Sequence, residues 1–148
     1  TRNETGMNNA GLIAQFWNLN RQDQLGIVCD SSTGFILPNG AIRSPDVSWI
    51  AKARVAQFSK EEKAKFLPLT PDFVLELMSP SDQLKTTQAK MREYRDNGVK
   101  LGWLINPQQQ QVEIYRPDKP VEVVNKPSFL SGEEILPGLI IELDFIWQ

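Results

Sequence analysis

The sequence contains no histidine and only one cysteine, Cys29. Without histidine, neither a Ser-His-Asp triad nor a metal site of cysteine and histidine ligands can form. One cysteine cannot form an internal disulfide, which fits a reducing compartment, and we expect a cytoplasmic protein. Any metal ion would have to be bound through oxygen atoms, which favours Mg²⁺, Mn²⁺ or Ca²⁺.

Long apolar runs and a large excess of either charge are also absent. No apolar run is long enough to cross a bilayer, and no basic segment followed by an apolar one opens the chain. The net charge is −2, so a surface that binds nucleic acid would need to gather its positive charge locally. The chain begins with Thr1 in a polar stretch, and we expect an N-terminal segment to be missing.

The length, composition and hydrophobic pattern of the sequence predict one α/β domain over residues 1–148. This length, with 41% hydrophobic residues, is enough to bury a core. The pattern runs from a helix over 8–19 to strands, a second long helix over 81–97 and further strands. That order is typical of a mixed β-sheet flanked by helices.

Turn residues divide the strand regions. The turn DSSTG at 30–34 lies between two short apolar runs and predicts a hairpin of two strands. Asn39-Gly40 predicts a tight turn before the next strand. The segments QQVEIYRP and PVEVVN predict two alternating strands joined by the turn PDK, and the tail predicts short strands and a turn.

Capping residues locate the ends of helices. Ser59 predicts the start of a short charged helix over 57–66. Ser81 or Asp82 is expected to cap the start of the second long helix. Gly98 is expected to end that helix.

Glu76 lies inside the nearly continuous apolar run DFVLELM, which predicts a central strand covered on both faces. A carboxylate in such a run is costly to bury unless a cation or hydrogen-bond donors compensate it. Strand alternation places Val74, Glu76 and Met78 on one face of the sheet. The alternatives are an edge-strand glutamate that faces water and one end of a buried salt bridge.

Asp46 and Lys90 are the other two candidate residues. Asp46 follows a proline and starts a predicted strand, although a simple turn aspartate is also typical of this position. Lys90 lies at helical spacing with Thr87 and Tyr94, so its ammonium can extend from the border of the buried stripe towards the sheet. There it could position water or stabilise transition-state charge. The alternatives for Lys90 are a side chain that covers apolar surface and an ion pair with Glu93.

Four segments in this order and spacing resemble one protein family: RSPDVSWI, VLELMSPSD, KMREYRDNGV and LGWLINP. They are similar to the Uma-two family, which is abundant in cyanobacteria and classed with the PD-(D/E)xK restriction endonuclease-like proteins, and the resemblance covers nearly the whole chain. It implies a restriction endonuclease-like core, with a mixed sheet flanked by helices, and divalent-metal-dependent nuclease activity.

The resemblance also assigns residues to the motif. It matches Asp46 to the aspartate and Glu76 to the glutamate of PD-(D/E)xK. The lysine of the standard motif would stand at position 78, where this chain has Met78, and in this family it moves to the helix, at Lys90. The resemblance implies that both carboxylates and the backbone carbonyl of Leu77 bind Mg²⁺ or Mn²⁺.

Two candidate accessory residues follow from the same resemblance. Glu4, just before the first predicted helix, stands where related proteins often place an acidic residue, although an exposed terminal glutamate is the more ordinary interpretation. Tyr94 is spaced from Lys90 as in the QxxxY helix motif of related exonucleases.

Other polar and aromatic residues have ordinary explanations. Asp72 is interpreted as a polar residue at a strand start and Asp82 as a helix cap. Several basic residues could touch a phosphate backbone, but interrupting acids favour a solvated helix: Arg43, Lys52, Arg54, Lys60, Lys63 and Lys65. The tryptophans are interpreted as core or interface residues: Trp17, Trp49, Trp103 and Trp147.

The first hypothesis is therefore an Mg²⁺- or Mn²⁺-dependent endonuclease that hydrolyses phosphodiester bonds of nucleic acid, with DNA as the expected substrate and a homodimer as the expected assembly. An alternative is an inactive module of the same fold that binds nucleic acid or another partner, since fold does not fix function. A third hypothesis is a homodimeric structural protein that uses the apolar segment IIELDFIW as its interface.

Overall fold

The computed structural model describes the backbone of residues 2–56 and 66–148, and the side chains of 4–56 and 66–148. The charged helix predicted over 57–66, including its start at Ser59, lies almost entirely outside these residues. The described residues contain three α-helices: α1 (Arg2–Asp23), α2 (Lys52–Val55) and α3 (Leu84–Asp96). The strands of the same residues are β1 (Gly26–Asp30), β2 (Phe35–Ile36), β3 (Ile42–Arg43), β4 (Val47–Ala51), β5 (Phe73–Leu77), β6 (Leu101–Asn106), β7 (Gln111–Tyr115), β8 (Glu122–Asn125), β9 (Phe129–Ser131) and β10 (Ile140–Glu142), and a 3₁₀ turn covers Asp144–Ile146.

Six strands form one mixed sheet in the order β1-β4-β5-β6-β7-β8. β5 pairs in parallel with β6, and the other neighbours are antiparallel. A parallel pair requires a crossover connection, and α3 supplies it between β5 and β6. All five residues of β5 are buried. The predicted central strand and the predicted mixed sheet flanked by helices are both confirmed.

Helices cover both faces of this sheet. On one face, Phe16 of α1 packs against Phe73 and Trp103, with ring centroids 5.3 and 5.9 Å away. On the opposite face, Met91 and Tyr94 of α3 lie in a second buried cluster. Because alternate residues of a strand face opposite sides, β5 contributes to both clusters and is held between the two helices.

The hairpin predicted around residues 30–34 is wrong. β1 pairs with β4 along its whole length, and β2 pairs with β3 around the predicted tight turn at Asn39-Gly40. The reason is that the two strands bury side chains on opposite faces of the main sheet. Val28 of β1 belongs to the cluster under α1, whereas Phe35 of β2 belongs to the cluster under α3.

The C-terminal segment is part of the core. β9 and β10 form a separate two-stranded sheet, and the side chain of Gln15 in α1 makes two hydrogen bonds of 2.8 Å with the backbone of Glu142. Most apolar side chains of IIELDFIW are buried: Ile141, Leu143, Ile146 and Trp147. Ile140, which is 51% exposed, is an exception. Most of the apolar surface on which the hypothesis of a homodimeric structural protein depended is therefore inside the core.

Trp17 is the exception among the tryptophans, since it is 55% exposed while Trp49, Trp103 and Trp147 are buried. It directly follows the inward-facing Phe16, and a helix turns by about 100° per residue, so Trp17 points away from the core.

Among the described helices, none has the length and apolar character that a membrane span requires.

α3 ends as its sequence predicts. Gly98 has a φ of +110°. Its N–H donates to the carbonyl of Arg95, and the N–H of Val99 donates to the carbonyl of Tyr94. These two bonds form a Schellman motif, in which glycine is the residue that adopts positive φ without steric cost. The motif fixes the last turn of α3, which carries Tyr94.

Replacing Gly98 with alanine should lower the free energy of unfolding by about 1–2 kcal/mol, because a Cβ is strained at positive φ. The matched control is Gly6→Ala in α1, where an added Cβ would meet nothing within 4 Å and should stabilise the helix by up to about 1 kcal/mol. Urea unfolding monitored by circular dichroism measures both. Equal effects of the two substitutions would contradict this account of Gly98.

Candidate active site

Asp46 and Glu76 meet where β4 begins and β5 ends. Val47 lies opposite Leu75 in the antiparallel register, so the next step of that register brings Asp46 opposite Glu76. The Oδ2 atom of Asp46 also accepts a hydrogen bond of 2.8 Å from the backbone N–H of Leu77. Strand alternation directs both carboxylates to the face of the sheet that α3 covers.

Glu76 is a buried acid whose orientation is fixed by a tyrosine. It is 8% exposed, and its Oε1 atom accepts a hydrogen bond of 3.0 Å from the hydroxyl of Tyr94. Tyr94 is itself buried, and both burial and the negative charge of Glu76 raise its pKa. Tyr94 therefore acts as a neutral donor that supports Glu76 without cancelling its charge.

Lys90 reaches the same site from α3. Its Nζ atom lies 4.0 Å from Oε2 of Glu76, and its side chain is 39% exposed. The alternative ion pair with Glu93 does not form, because Glu93 pairs with Arg43 at 2.6 Å. Thr87, Lys90 and Tyr94 are spaced by three and four residues, which places them on one face of the helix.

One cavity of about 300 Å³ contains these carboxylates and the lysine. The ends of β4 and β5, the loop after β5, α3 and the first turns of α1 form its wall. The residues that line it are Thr5, Asn9, Ser44, Asp46, Glu76, Leu77, Ser79, Asp82, Thr87 and Lys90. The three candidate residues predicted from the sequence are therefore neighbours in space.

Burial and mutual repulsion make the two carboxylates hard to ionise together. Burial, and then the charge of Asp46, raise the pKa of Glu76 to about 7, against the partial opposition of Lys90 and Tyr94. Burial also raises the pKa of Asp46. The folded state thus holds the Glu76 proton more tightly than the unfolded chain does. The contribution of this group to the stability of the folded state is complete below the ordinary glutamate pKa of 4.5. It is lost as the pH rises through the folded-state pKa of about 7.

Asp82 and Ser81 do not cap α3 as predicted. The residue at the N-cap position is Gln83, and no side chain caps it. The carboxylate of Asp82 instead accepts hydrogen bonds of 2.8 and 3.1 Å from the backbone N–H and the hydroxyl of Ser79, while the Ser81 hydroxyl contacts that of Ser79. Asp82 therefore closes the loop after β5, and its charge raises the pKa of both Asp46 and Glu76.

Asn9 of α1 is a site residue that the sequence interpretation missed. It lines the cavity, and its side-chain Oδ1 atom is buried with no hydrogen-bond partner among the described residues. Its position relative to Leu12, Ile13 and Phe16 is the available signal. Spacings of three, four and seven residues put this polar side chain on the buried face of the helix.

The remaining candidates lie at different distances from the cavity. Leu77 lines it, as the proposed carbonyl ligand requires. Glu4 is exposed and lines a neighbouring cavity instead. Asp72, at the other end of β5, is buried and forms ion pairs of 3.0 Å with Arg54 and 3.2 Å with Lys100, so it is a structural residue. Lys60, Lys63 and Lys65, which the sequence offered as possible phosphate contacts or as part of a solvated helix, lie outside the described residues.

The donor atoms of the cavity suit a hard divalent cation. In the part of the chain that the structure describes, no three or more acidic, cysteine or histidine side chains are grouped as a metal site. Mg²⁺, however, is commonly held by one or two carboxylates and keeps several waters. The adjacent carboxylates of Asp46, which is half-buried, and Glu76, which is buried, meet that requirement. A cation would offset the burial and the repulsion that together raise the pKa of Glu76.

Comparisons with known proteins identify the family and the fold of this chain. The model of the Uma2 family, described as "Putative restriction endonuclease", matches residues 1–144. A solved structure from Anabaena variabilis, described as "a putative nuclease belonging to DUF820", aligns with a TM-score of 0.85 and 18% sequence identity, over 97% of this chain and 80% of that chain. At such identity the likeness shows the fold alone. No curated protein gives a significant match.

The resemblance found in the sequence motifs is thus confirmed by a match that covers nearly the whole chain. The chain belongs to the Uma2 family of restriction endonuclease-like proteins.

Proposed function

We propose that this protein is a metal-dependent endonuclease that hydrolyses phosphodiester bonds, with DNA as its substrate. The observation that supports the proposal most strongly is the meeting of Asp46, Glu76 and Lys90 in one cavity. The description of the Uma2 family as restriction endonucleases favours DNA. The expected homodimer and cytoplasmic location stay predictions.

In this proposal, Asp46 and Glu76 bind one Mg²⁺ or Mn²⁺ ion, and the carbonyl oxygen of Leu77 is a third ligand. Such an ion supplies a Lewis acid that offsets phosphate charge and makes water easier to deprotonate. The hydrogen bond from the Leu77 N–H to Asp46 and the one from Tyr94 to Glu76 hold the two carboxylates in place. Fixed ligands of this kind reduce the reorganisation that binding and reaction require.

Lys90 has a different role, because its ammonium lies beside the carboxylates and retains contact with solvent. A cation at this position can hold a water molecule or stabilise the negative charge that develops on a phosphorane. It also attracts the phosphate group into a cavity that otherwise carries acidic side chains. The chain has no histidine, so the groups of the cavity that could accept a proton from water are its carboxylates.

Replacing Glu76 with glutamine should weaken Mn²⁺ binding by at least about 100-fold. Even the loss of a residue that only supports a metal ligand can weaken metal binding by up to about 100-fold. Cleavage of plasmid DNA should fall by a factor on the order of 1000. Titration calorimetry and gel electrophoresis measure the two effects.

The matched control for this substitution is Glu113→Gln on β7. Glu113 is also 8% exposed and also accepts a tyrosine hydrogen bond, of 2.7 Å from Tyr115. It does not line the Asp46 cavity, so its variant should keep metal binding and cleavage. Wild-type protein that binds Mn²⁺ but cleaves nothing would favour the inactive module, and undiminished cleavage by the Glu76 variant would remove the proposed mechanism.

Replacing Lys90 with methionine should separate catalysis from metal binding. The apolar stem of the side chain is kept while its positive charge is lost, so cleavage should fall by about 100-fold or more. At a pH where Glu76 is deprotonated in both proteins, Mn²⁺ affinity should be unchanged or higher, because a like charge has been removed from beside the ion. The exposed Lys85 on the same helix provides the control variant Lys85→Met, which should affect neither property. A parallel loss of affinity and cleavage would contradict this separation.

The apparent affinity for Mn²⁺ should rise with pH and level off above about 7, because the ion binds the deprotonated form of Glu76 and the pKa of that group is about 7. Below that value the affinity should change by about tenfold per pH unit. Calorimetry at pH 6 in two buffers of different ionisation enthalpy should also show the release of about one proton. A flat profile between pH 5.5 and 7 would show that Glu76 is not the titrating ligand.

A further inference from the structure

A second cavity, of about 480 Å³, adjoins the candidate active site. It lies between the first turns of α1, the loop after β5, the turn that joins β6 to β7 and the residues at 145–148. Thr5 lines both cavities, and Met78 in the wall of the second directly follows Leu77 in the wall of the first. A linear polymer with one unit at the carboxylates would therefore place a neighbouring unit in this second cavity.

The described residues of the second cavity's wall are polar, apolar or acidic, and none carries a positive charge. None of the described residues that line it is lysine or arginine, and one of them, Glu4, is acidic. A phosphate group would find no cationic partner among these described residues. The side-chain amides of Asn8 and Gln108 can both donate and accept hydrogen bonds, as the edge of a nucleobase requires, and Met7 and Phe145 offer apolar surface for the face of a ring.

We propose that this cavity receives one unpaired nucleobase next to the phosphodiester that is cleaved. The substrate class would then be single-stranded or locally unpaired nucleic acid, and this inference rests on the proposed nuclease function. A base in a duplex is stacked and paired, so it would have to be extruded before it could enter. The volume also suits the proposal, since sites for small organic groups begin at about 300 Å³.

A matched pair of substitutions in the turn between β6 and β7 tests the proposal. Gln108→Trp would fill the cavity, whereas Gln109→Trp puts the same side chain on an exposed neighbour that does not line it. Fluorescence anisotropy in EDTA would measure binding of a labelled DNA oligonucleotide, first single-stranded and then annealed to its complement. We expect the wild type to prefer the single strand, and we expect Gln108→Trp to raise its Kd about tenfold, the loss of roughly one stacked base. Gln109→Trp should leave that Kd unchanged.

Equal affinities of the two variants for the single strand, or tighter wild-type binding of the duplex, would overturn the proposal. A second measurement needs no variant: 5-iodouracil oligonucleotides crosslinked to the wild type should label peptides that contain Met7 or Phe145. Labels confined to other peptides would overturn it as well.

The two proposals fail in different ways. If Mn²⁺-dependent cleavage is lost in Glu76→Gln but both tryptophan variants bind and cleave the single strand alike, the nuclease proposal is supported and the nucleobase site is rejected. If Gln108→Trp weakens binding while no cleavage is detected in any protein, the site for an unpaired nucleobase is supported and the nuclease activity is rejected. A wild type that binds no oligonucleotide overturns the base site.

Discussion

The arrangement of the site depends on one unfavourable condition, the burial of the Glu76 carboxylate next to that of Asp46. Removing an ionised carboxylate from water is costly, and a second negative charge nearby adds to the cost. The protein offsets part of it with the Tyr94 hydroxyl and the Lys90 ammonium, yet the pKa of Glu76 still rises to about 7. A fold selected for stability alone would have little reason to keep this pair of acids, since apolar residues of similar volume stabilise such positions as well or better.

The sheet topology determines which residues meet these acids. The antiparallel register of β4 and β5 sets Asp46 beside Glu76. The parallel pairing of β5 with β6 requires a crossover connection, which here contains a helix. That helix, α3, begins just after the loop that follows Glu76, so its side chains return over the same face of the sheet. Lys90 and Tyr94 lie above Glu76 for this reason, although they are 14 and 18 residues away in the sequence.

The parts of this arrangement that local patterns encode could be predicted. The apolar run around Glu76 indicates a central strand, and helical spacing puts Lys90 and Tyr94 on one face of α3. The partner of β1 could not be predicted, because it depends on which face of the sheet each strand buries and not on the turn at 30–34. Asp82 was misjudged because a helix cap and a residue that closes a loop beside a cavity have the same local sequence, and only the packing of the loop after β5 separates them. For Asn9, helical spacing indicates the buried face of α1, but only the packing of α1 shows that this face meets the cavity.

Glu113 shows why burial alone does not identify the site. It lies on the same face of the sheet as Glu76, two strands away and about 10 Å distant, with Leu104 paired between them. Both of its carboxylate oxygens accept hydrogen bonds, of 2.7 Å from Tyr115 and 2.9 Å from Gln88. Among the described residues, Glu76 accepts a hydrogen bond of this kind at one oxygen, from Tyr94, while the Lys90 ammonium lies 4.0 Å from the other oxygen, beyond hydrogen-bond distance. Glu113 is thus a carboxylate whose neighbours satisfy it, whereas the charge of Glu76 beside Asp46 is only partly compensated, and that difference is the reason to place the proposed cation at Glu76.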